Sequence, residues 1–164
     1  MIKDEDEIDS NEETSTMRSL KEIIEDPKVS KSVVADGLRV LDEEMAKRSG
    51  LGGLAIKGAY KVVKSVQGGK TLERAVEILI PEFIDKLDPY YVRFQEEGKG
   101  KTWTEYLQPH YGAIADELLS VTDQKIQGSD NRAIRGAYDK LRPKARKEVI
   151  DSLPSLSRMM ERYL

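Results

Sequence analysis

The chain has 164 residues, a formal net charge of −3 and no cysteine. This length suits one domain with a sizeable core, and the lack of cysteine excludes disulfides, thiolate nucleophiles and thiolate metal sites. No apolar run approaches the ~20 residues that a membrane-spanning helix requires, and the acidic N-terminus is unlike a signal peptide, so we expect a cytoplasmic protein.

Residues 1–16 form an acidic segment. They hold seven acidic residues against Lys3, and only Met1, Ile2 and Ile8 could be buried. Such a segment cannot offset the entropy lost on ordering. We therefore predict a disordered tail at 1–16 and a single, mildly basic helical domain at 17–164.

The domain is predicted to be all-α, because apolar residues recur at spacings of three and four and no stretch alternates with a period of two. A short first helix is expected to end at Asp26-Pro27. The second helix is expected to be capped by Ser30 and to end at Ser49-Gly50. The third should span about 53–66 and close at Gly68-Gly69.

A fourth helix opens at Thr71, and its apolar residues share one face. They are Leu72, Val76, Leu79, Phe83 and Leu87. Pro81 lies inside this pattern and predicts a kink or break, since proline removes an intrahelical hydrogen bond. The first of two related units is expected to end at Asp88-Pro89.

The chain contains an internal repeat. Ala55-Ile56-Lys57-Gly58-Ala59-Tyr60 returns as Ala133-Ile134-Arg135-Gly136-Ala137-Tyr138, and the order of Asp42, Pro81 and Tyr90 is matched by Asp123, Pro154 and Tyr163. This predicts a helical bundle built from two related multi-helix repeats about a pseudo-two-fold axis. Repeat one covers about 30–91, a connector about 90–111, and repeat two about 112–164.

Gly58 and Gly136 lie inside the repeated helix, where glycine costs about 1 kcal/mol relative to alanine. We interpret both as points where another helix backbone approaches closely. The alternative is that a ligand or partner lies over the space that the missing side chain leaves. Leu54 and Val62 flank Gly58, whereas charged side chains flank Gly136. The first repeated helix is therefore expected to be central and the second peripheral.

The connector is rich in aromatic residues, with Thr102 placed to cap a short helix inside it. We interpret the aromatics as a small core that joins the two halves. The alternative is a groove for a peptide or small apolar ligand, which would leave part of Trp103 exposed. The candidate partner or ligand contacts are Tyr90, Tyr91, Phe94, Trp103 and Tyr106.

The last third of the chain carries a basic cluster. We interpret it as a solvated helix face, with anion or nucleic-acid binding as the alternative. The candidate anion contacts are Arg132, Arg135, Lys140, Arg142, Lys144, Arg146 and Lys147.

No catalytic, cofactor-binding or metal site is predicted. His110 is the sole histidine, so no Ser-His-Asp or Cys-His arrangement has a second histidine in support. The glycine-rich stretch 49–53 lacks the Gly-Lys-Ser/Thr of a phosphate-binding loop. An enzymatic role is therefore the less favoured alternative.

Three segments carry a resemblance to a known family. They are Gly52-Gly53-Leu54-Ala55-Ile56-Lys57-Gly58-Ala59-Tyr60-Lys61, Leu79-Ile80-Pro81-Glu82-Phe83 and Tyr138-Asp139-Lys140-Leu141-Arg142-Pro143. Over about 18–164 the chain resembles a family of uncharacterised prokaryotic all-helical proteins of similar length. The resemblance implies an all-helical fold and transfers no activity, cofactor or site residue.

The sequence therefore favours a non-enzymatic binding or scaffold protein for an unknown protein partner. Two alternatives stay open. One is a carrier of a small apolar ligand, held in a cavity near the aromatic connector. The other is anion or nucleic-acid binding through residues 132–147.

Overall fold

A computed structural model describes residues 17–164, and it confirms the all-α class: that range contains seven α-helices, two 3₁₀ turns and no strand. The helices are α1 Leu20–Ile24, α2 Pro27–Ala46, α3 Gly50–Ser65, α4 Lys70–Glu97, α5 Trp103–Leu107, α6 Tyr111–Gln127 and α7 Arg132–Met160. The 3₁₀ turns are Val66–Gly69 and Gln108–His110. None of the helices described is long and apolar enough to cross a membrane. The predicted acidic tail, 1–16, lies outside the described residues.

Polar side chains set where the helices begin. The Thr102 hydroxyl accepts a hydrogen bond from the backbone N–H of Glu105, which confirms the predicted cap of α5. The predicted cap of α2 at Ser30 is wrong. Asp26 caps the helix by accepting from the backbone N–H of Lys28, and Pro27 occupies the first helical position, where its missing N–H costs nothing.

Helices α4 and α7 run through their prolines. α4 spans 28 residues with Pro81 and Pro89 inside it, and Pro154 lies inside α7. The end that the sequence predicts for the first repeat, at Asp88-Pro89, therefore falls inside a continuous helix. Proline in a helix costs about 3 kcal/mol, but the turns after Pro89 bury Tyr90 and Tyr91 in the core, which offsets that cost.

The core lies among α2, α4, α6 and α7, with α1 and α5 closing its ends. Its largest fully buried side chains are Leu20, Val33, Leu107 and Ile114. They come from four different helices, so one continuous apolar interior holds the described part of the chain together.

Gly58 and Gly136 do not mark close helix contacts. Both are exposed, and a Cβ atom built at either residue would have no neighbour within 4 Å. The expectation that the first repeated helix is buried on two sides is also wrong, because Leu54 and Val62 are exposed. α3 buries a single face, which includes Ile56 and Ala59.

A polar network joins α2 to α7 at the edge of the core. Arg48, just after α2, pairs with Glu148 of α7 and lies 3.9 Å from the carboxylate of Glu44, which is 4% exposed. The Ser155 hydroxyl donates to Glu44 at 2.7 Å. Burial opposes ionisation of Glu44, but hydrogen bonds from Lys47 and Ser155 outweigh it and hold its pKa below the ordinary value.

Two Tyr–Asp clusters of the same kind occur in the fold. Asp42 of α2 accepts hydrogen bonds from Tyr60 at 2.7 Å and Lys64 at 2.6 Å, both on α3. Asp123 of α6 accepts from Tyr138 at 2.6 Å and Arg142 at 2.8 Å, both on α7. These bonds lower the pKa of both carboxyls. Burial and the neighbouring carboxylate raise the pKa of both tyrosines, which therefore remain protonated.

We predict that Arg48→Ala destabilises the fold by about 3 kcal/mol, because it leaves Glu44 and Glu148 in a largely buried site without their shared cation. The free energy of unfolding in urea measures the effect. Arg39→Ala is the control, since the Arg39–Asp36 pair is more exposed and should contribute less than about 1 kcal/mol. Equal losses in the two variants would contradict this role for Arg48.

We also predict a pH dependence from the two Tyr–Asp clusters. The lowered pKa of Asp42 and Asp123 gives a stabilising contribution that is complete above the unfolded value of about 3.8 and is lost as the pH falls through the folded value. The double variant Asp42→Asn/Asp123→Asn should lose about 1 kcal/mol per cluster at neutral pH. The difference in stability between this variant and the native protein should be smaller near pH 3, as measured by thermal unfolding midpoints across the acid range. Asp139→Asn, which alters an exposed residue outside the clusters, is the control. A double variant that is destabilised by the same amount near pH 3 as at neutral pH would contradict this pH dependence.

Candidate functional site

An apolar cavity of about 300 Å³ lies between α2, α4 and the C-terminal half of α7, beside α5. It opens to solvent, and several of its lining residues, such as Leu41, Leu72 and Phe83, are partly exposed. The side chains that line it from α4 include Leu72, Val76, Leu79, Phe83 and Leu87. These are the five residues that the sequence placed on one apolar face of the fourth helix.

Gly37 of α2 keeps the cavity open on one side. It is buried and lines the cavity, and a Cβ atom added there would meet nothing within 4 Å. No neighbouring atom therefore requires glycine at this position, although glycine inside a helix costs about 1 kcal/mol relative to alanine. Gly37 is not among the residues predicted from the sequence, and the cost of a glycine inside a helix is the signal that identifies it.

The cavity wall offers almost no hydrogen-bonding group. Ser157 of α7 is its single polar side chain, and the Ser157 hydroxyl already donates to the carbonyl oxygen of Leu153 at 2.8 Å. The other lining residues contribute aliphatic, thioether and aromatic groups, with Trp103, Leu107, Leu118, Met159 and Met160 at the inner end. Such a wall excludes charged and strongly polar ligands, since their desolvation would not be compensated.

The five candidate aromatic contacts pack mainly against one another. The Trp103 ring lies 5.5 Å from the rings of Tyr91 and Phe94, and the Phe94 ring lies 5.4 Å from that of Tyr106. Tyr90 is buried near them and donates to Glu117 at 3.0 Å. Trp103 is only 2% exposed, which disfavours the alternative of a groove with a partly exposed tryptophan. Of the five, Trp103 also lines the cavity.

The candidate anion contacts are divided in two by the structure. Arg142, Arg146 and Lys147 each pair with a carboxylate, on Asp123, Asp116 and Asp151 respectively. Within the described range, Arg132, Arg135, Lys140 and Lys144 are exposed and form no ion pair. The segment 132–147 therefore presents fewer available positive charges than its sequence indicates.

A second, more polar cleft of about 770 Å³ lies on the other side of the N-terminal half of α4. Ala75 and Leu79 line both the cleft and the apolar cavity. No residue of α4 before Ile84 is fully buried. This half of α4 thus forms a thin wall between the apolar cavity and the cleft.

Residues 17–164 hold no cluster of three or more carboxylate or histidine side chains that could bind a metal ion. His110 lies beside the aromatic rings, with its ring centre 5.4 Å from that of Tyr90. The protonated Tyr60 and Tyr138 donate to carboxylates and cannot act as bases. The arrangement favours binding of an apolar molecule over acid–base chemistry.

Comparison with known proteins identifies a family and no individual relative. No curated protein and no solved structure matches the chain significantly. The model of the family described as "Family of unknown function (DUF6918)" matches residues 20–164. The match spans all seven helices, and the chain therefore belongs to this family.

Proposed function

We propose that this protein is a non-catalytic carrier that binds a small apolar molecule in the cavity beside Trp103. The observation that carries the proposal is the nearly complete absence of hydrogen-bonding groups from the wall of a 300 Å³ cavity. Ligand sites typically have volumes of about 300 to 1,000 Å³ and mostly apolar walls.

The cavity volume sets the size of the ligand. A water molecule occupies about 30 Å³ in the liquid, so 300 Å³ accommodates on the order of ten groups of that size. A hydrocarbon chain or a small terpenoid or aromatic body has this size. Any polar end of the ligand would have to lie outside the apolar wall, because Ser157 has no free hydrogen to donate.

Partly exposed apolar side chains on the cavity wall also favour a ligand, because a bound apolar molecule would remove their surface from water. A bound apolar molecule would recover contacts that the surrounding side chains otherwise lack.

We further infer that the cavity lies between two related halves. The Asp42 cluster joins α2 to α3, and the Asp123 cluster joins α6 to α7, with matching residue types in matching order. The sequence repeat pairs Tyr60 with Tyr138 and Asp42 with Asp123. The two clusters therefore support a common origin for the two helix pairs.

Two further tyrosines support a pseudo-two-fold arrangement. Tyr163, near the end of the second repeat, donates to Asp36 of α2 in the first. Tyr90, which the repeat matches with Tyr163, donates to Glu117 of α6 in the second. Asp36 and Glu117 are near-equivalent positions, since Ala35-Asp36 in the first repeat is echoed by Ala115-Asp116 in the second. Each half thus donates a hydrogen bond from its last segment to the first helix of the other.

The macromolecular scaffold remains a prediction, because no contact among the described residues tests it. Anion or nucleic-acid binding through 132–147 has less support, since three of its seven basic residues are paired within the protein. The apolar carrier is the function that the geometry supports best.

We predict that an aliphatic chain labelled with bromine, such as bromodecane, quenches the fluorescence of Trp103. Trp103 is the sole tryptophan in the chain and lines the cavity, so a bromine atom in the cavity would contact its indole ring. Quenching should be saturable with about one site per chain. Bromoethanol is the control, because a small polar quencher should not reach a side chain that is 2% exposed. Absence of saturable quenching by the aliphatic probe would refute the carrier proposal.

We predict that Gly37→Leu raises stability and weakens ligand binding. The new side chain would fill part of the cavity, and removal of a helix-interior glycine contributes about 1 kcal/mol. The free energy of unfolding should therefore increase, while the affinity for bromodecane should fall by about tenfold or more, as expected when a ligand loses several apolar contacts. Gly136→Leu is the matched control. Gly136 is also inside a helix with no atom within 4 Å of a built Cβ, but it is exposed and remote from the cavity lining. Loss of binding in Gly136→Leu, or normal binding in Gly37→Leu, would contradict the assigned site.

A further inference from the structure

We propose that the exposed apolar face of α3 docks on an anionic lipid bilayer surface. We call this surface the α3 face and define it as Leu51, Leu54, Ala55, Gly58 and Val62. The proposal concerns the outside of the molecule and does not rest on occupancy of the cavity.

The α3 face is a continuous apolar stripe. Residues 51, 55, 58 and 62 recur at spacings of four and three, which places them on one side of a helix. Leu51 is 89% exposed, Leu54 64% and Val62 45%. Isolated exposed apolar residues are ordinary, but several on one helix face indicate an interaction surface.

The fold holds α3 firmly by its other side. Ile56 and Ala59 are buried, and Tyr60 is hydrogen-bonded to Asp42. A Cβ at Gly58 would meet no atom within 4 Å, so within residues 17–164 nothing packs over the middle of the stripe. The apolar side chains project outward from an anchored helix.

Lysines lie on both sides of the α3 face. α3 contains Lys57, Lys61 and Lys64 and no acidic residue, and of these Lys64 is paired with Asp42. Lys144 of α7 approaches from the other side, with its Nζ atom 3.0 Å from a Cβ built at Gly52. A basic helix with an exposed apolar face matches the surface of an anionic bilayer, where each lysine contributes about 1 kcal/mol.

The same charges disfavour a second copy of the chain as the occupant. Pairing two α3 faces would bring two sets of lysines together with no acidic residue on α3 to compensate them. The corresponding positions of the second repeat carry Arg132 and Lys140 in place of Leu54 and Val62. The apolar face is therefore confined to one side of the molecule, as docking on a flat surface requires.

Flotation with lipid vesicles tests the proposal on the full chain. The native protein should float with vesicles of phosphatidylcholine and phosphatidylglycerol at about 0.15 M salt, and bind pure phosphatidylcholine much more weakly. Leu51→Ser/Leu54→Ser should reduce binding to the anionic vesicles by about tenfold or more, because it removes the two most exposed apolar side chains. Lys57→Gln/Lys61→Gln should reduce it by about thirtyfold, as expected for two lysines near an anionic surface.

Matched controls separate the α3 face from general effects. Ile78→Ser removes an exposed apolar side chain of α4 that is outside the α3 face, and Lys99→Gln/Lys101→Gln removes two exposed charges in the turn after α4. Both control variants should bind like the native protein. Circular dichroism should show the native helix content for every variant, since each altered side chain lies on the surface.

Several outcomes would overturn the proposal. Failure of the native protein to float with anionic vesicles would assign the α3 face to a protein partner instead. Equal binding to neutral and anionic vesicles would remove the role of the lysines. Binding that survives both α3 variants would place the lipid contact elsewhere, for example on Arg132 and Arg135. None of these outcomes bears on quenching of Trp103, so the carrier proposal succeeds or fails separately.

Discussion

Contacts between helices that are distant in the chain are the constraint on which the rest of the structure depends. Tyr163 reaches Asp36 of α2, and Tyr90 reaches Glu117 of α6. In the same way α7 packs against α2 and α4 packs against α6. α4 and α7 are therefore each held by helices from distant parts of the chain, and one continuous apolar interior lies among them. The cavity, lined from α2 and α4 on one side and from α6 and α7 on the other, is a consequence of this shared interior.

The two sequence repeats are unevenly spaced, since matching residues are 78 positions apart at Tyr60 and Tyr138 but 73 apart at Pro81 and Pro154. In the first repeat the turn 66–69, where Gln67, Gly68 and Gly69 adopt positive φ angles, ends α3 before α4 begins. The matching part of the second repeat lies in the single helix α7. α3 is thus a separate helix, and among the described residues nothing packs over Gly58 in the middle of its outer face.

Much of the fold could be predicted because local signals and tertiary packing agree. The helical periodicity, the Thr102 cap and the apolar face of α4 follow from spacing and side-chain chemistry alone. The failures occur where packing outweighs a local preference or where a pattern has more than one interpretation. Burial of Tyr90 and Tyr91 carries α4 through Pro89, and a glycine inside a helix can mark a close contact, an exposed face as at Gly58, or a cavity wall as at Gly37. Only the position of neighbouring helices distinguishes these cases, and the sequence does not contain it.

The cavity opens to solvent, and the structure indicates which of its walls would move at the lowest cost to widen the opening. The first half of α4 contributes Leu72, Val76 and Leu79 to the lining but contains no fully buried residue. It begins after the left-handed turn at Gly68 and Gly69, and Pro81 removes one backbone hydrogen bond at its other end. Local opening is easiest where few apolar contacts are lost. By contrast, the α2 wall is tied to α7 by the Arg48–Glu148 pair, and the α5 wall is fixed by its buried aromatic ring. Displacement of residues 70–80 is therefore the motion that would widen the cavity while leaving the buried core intact.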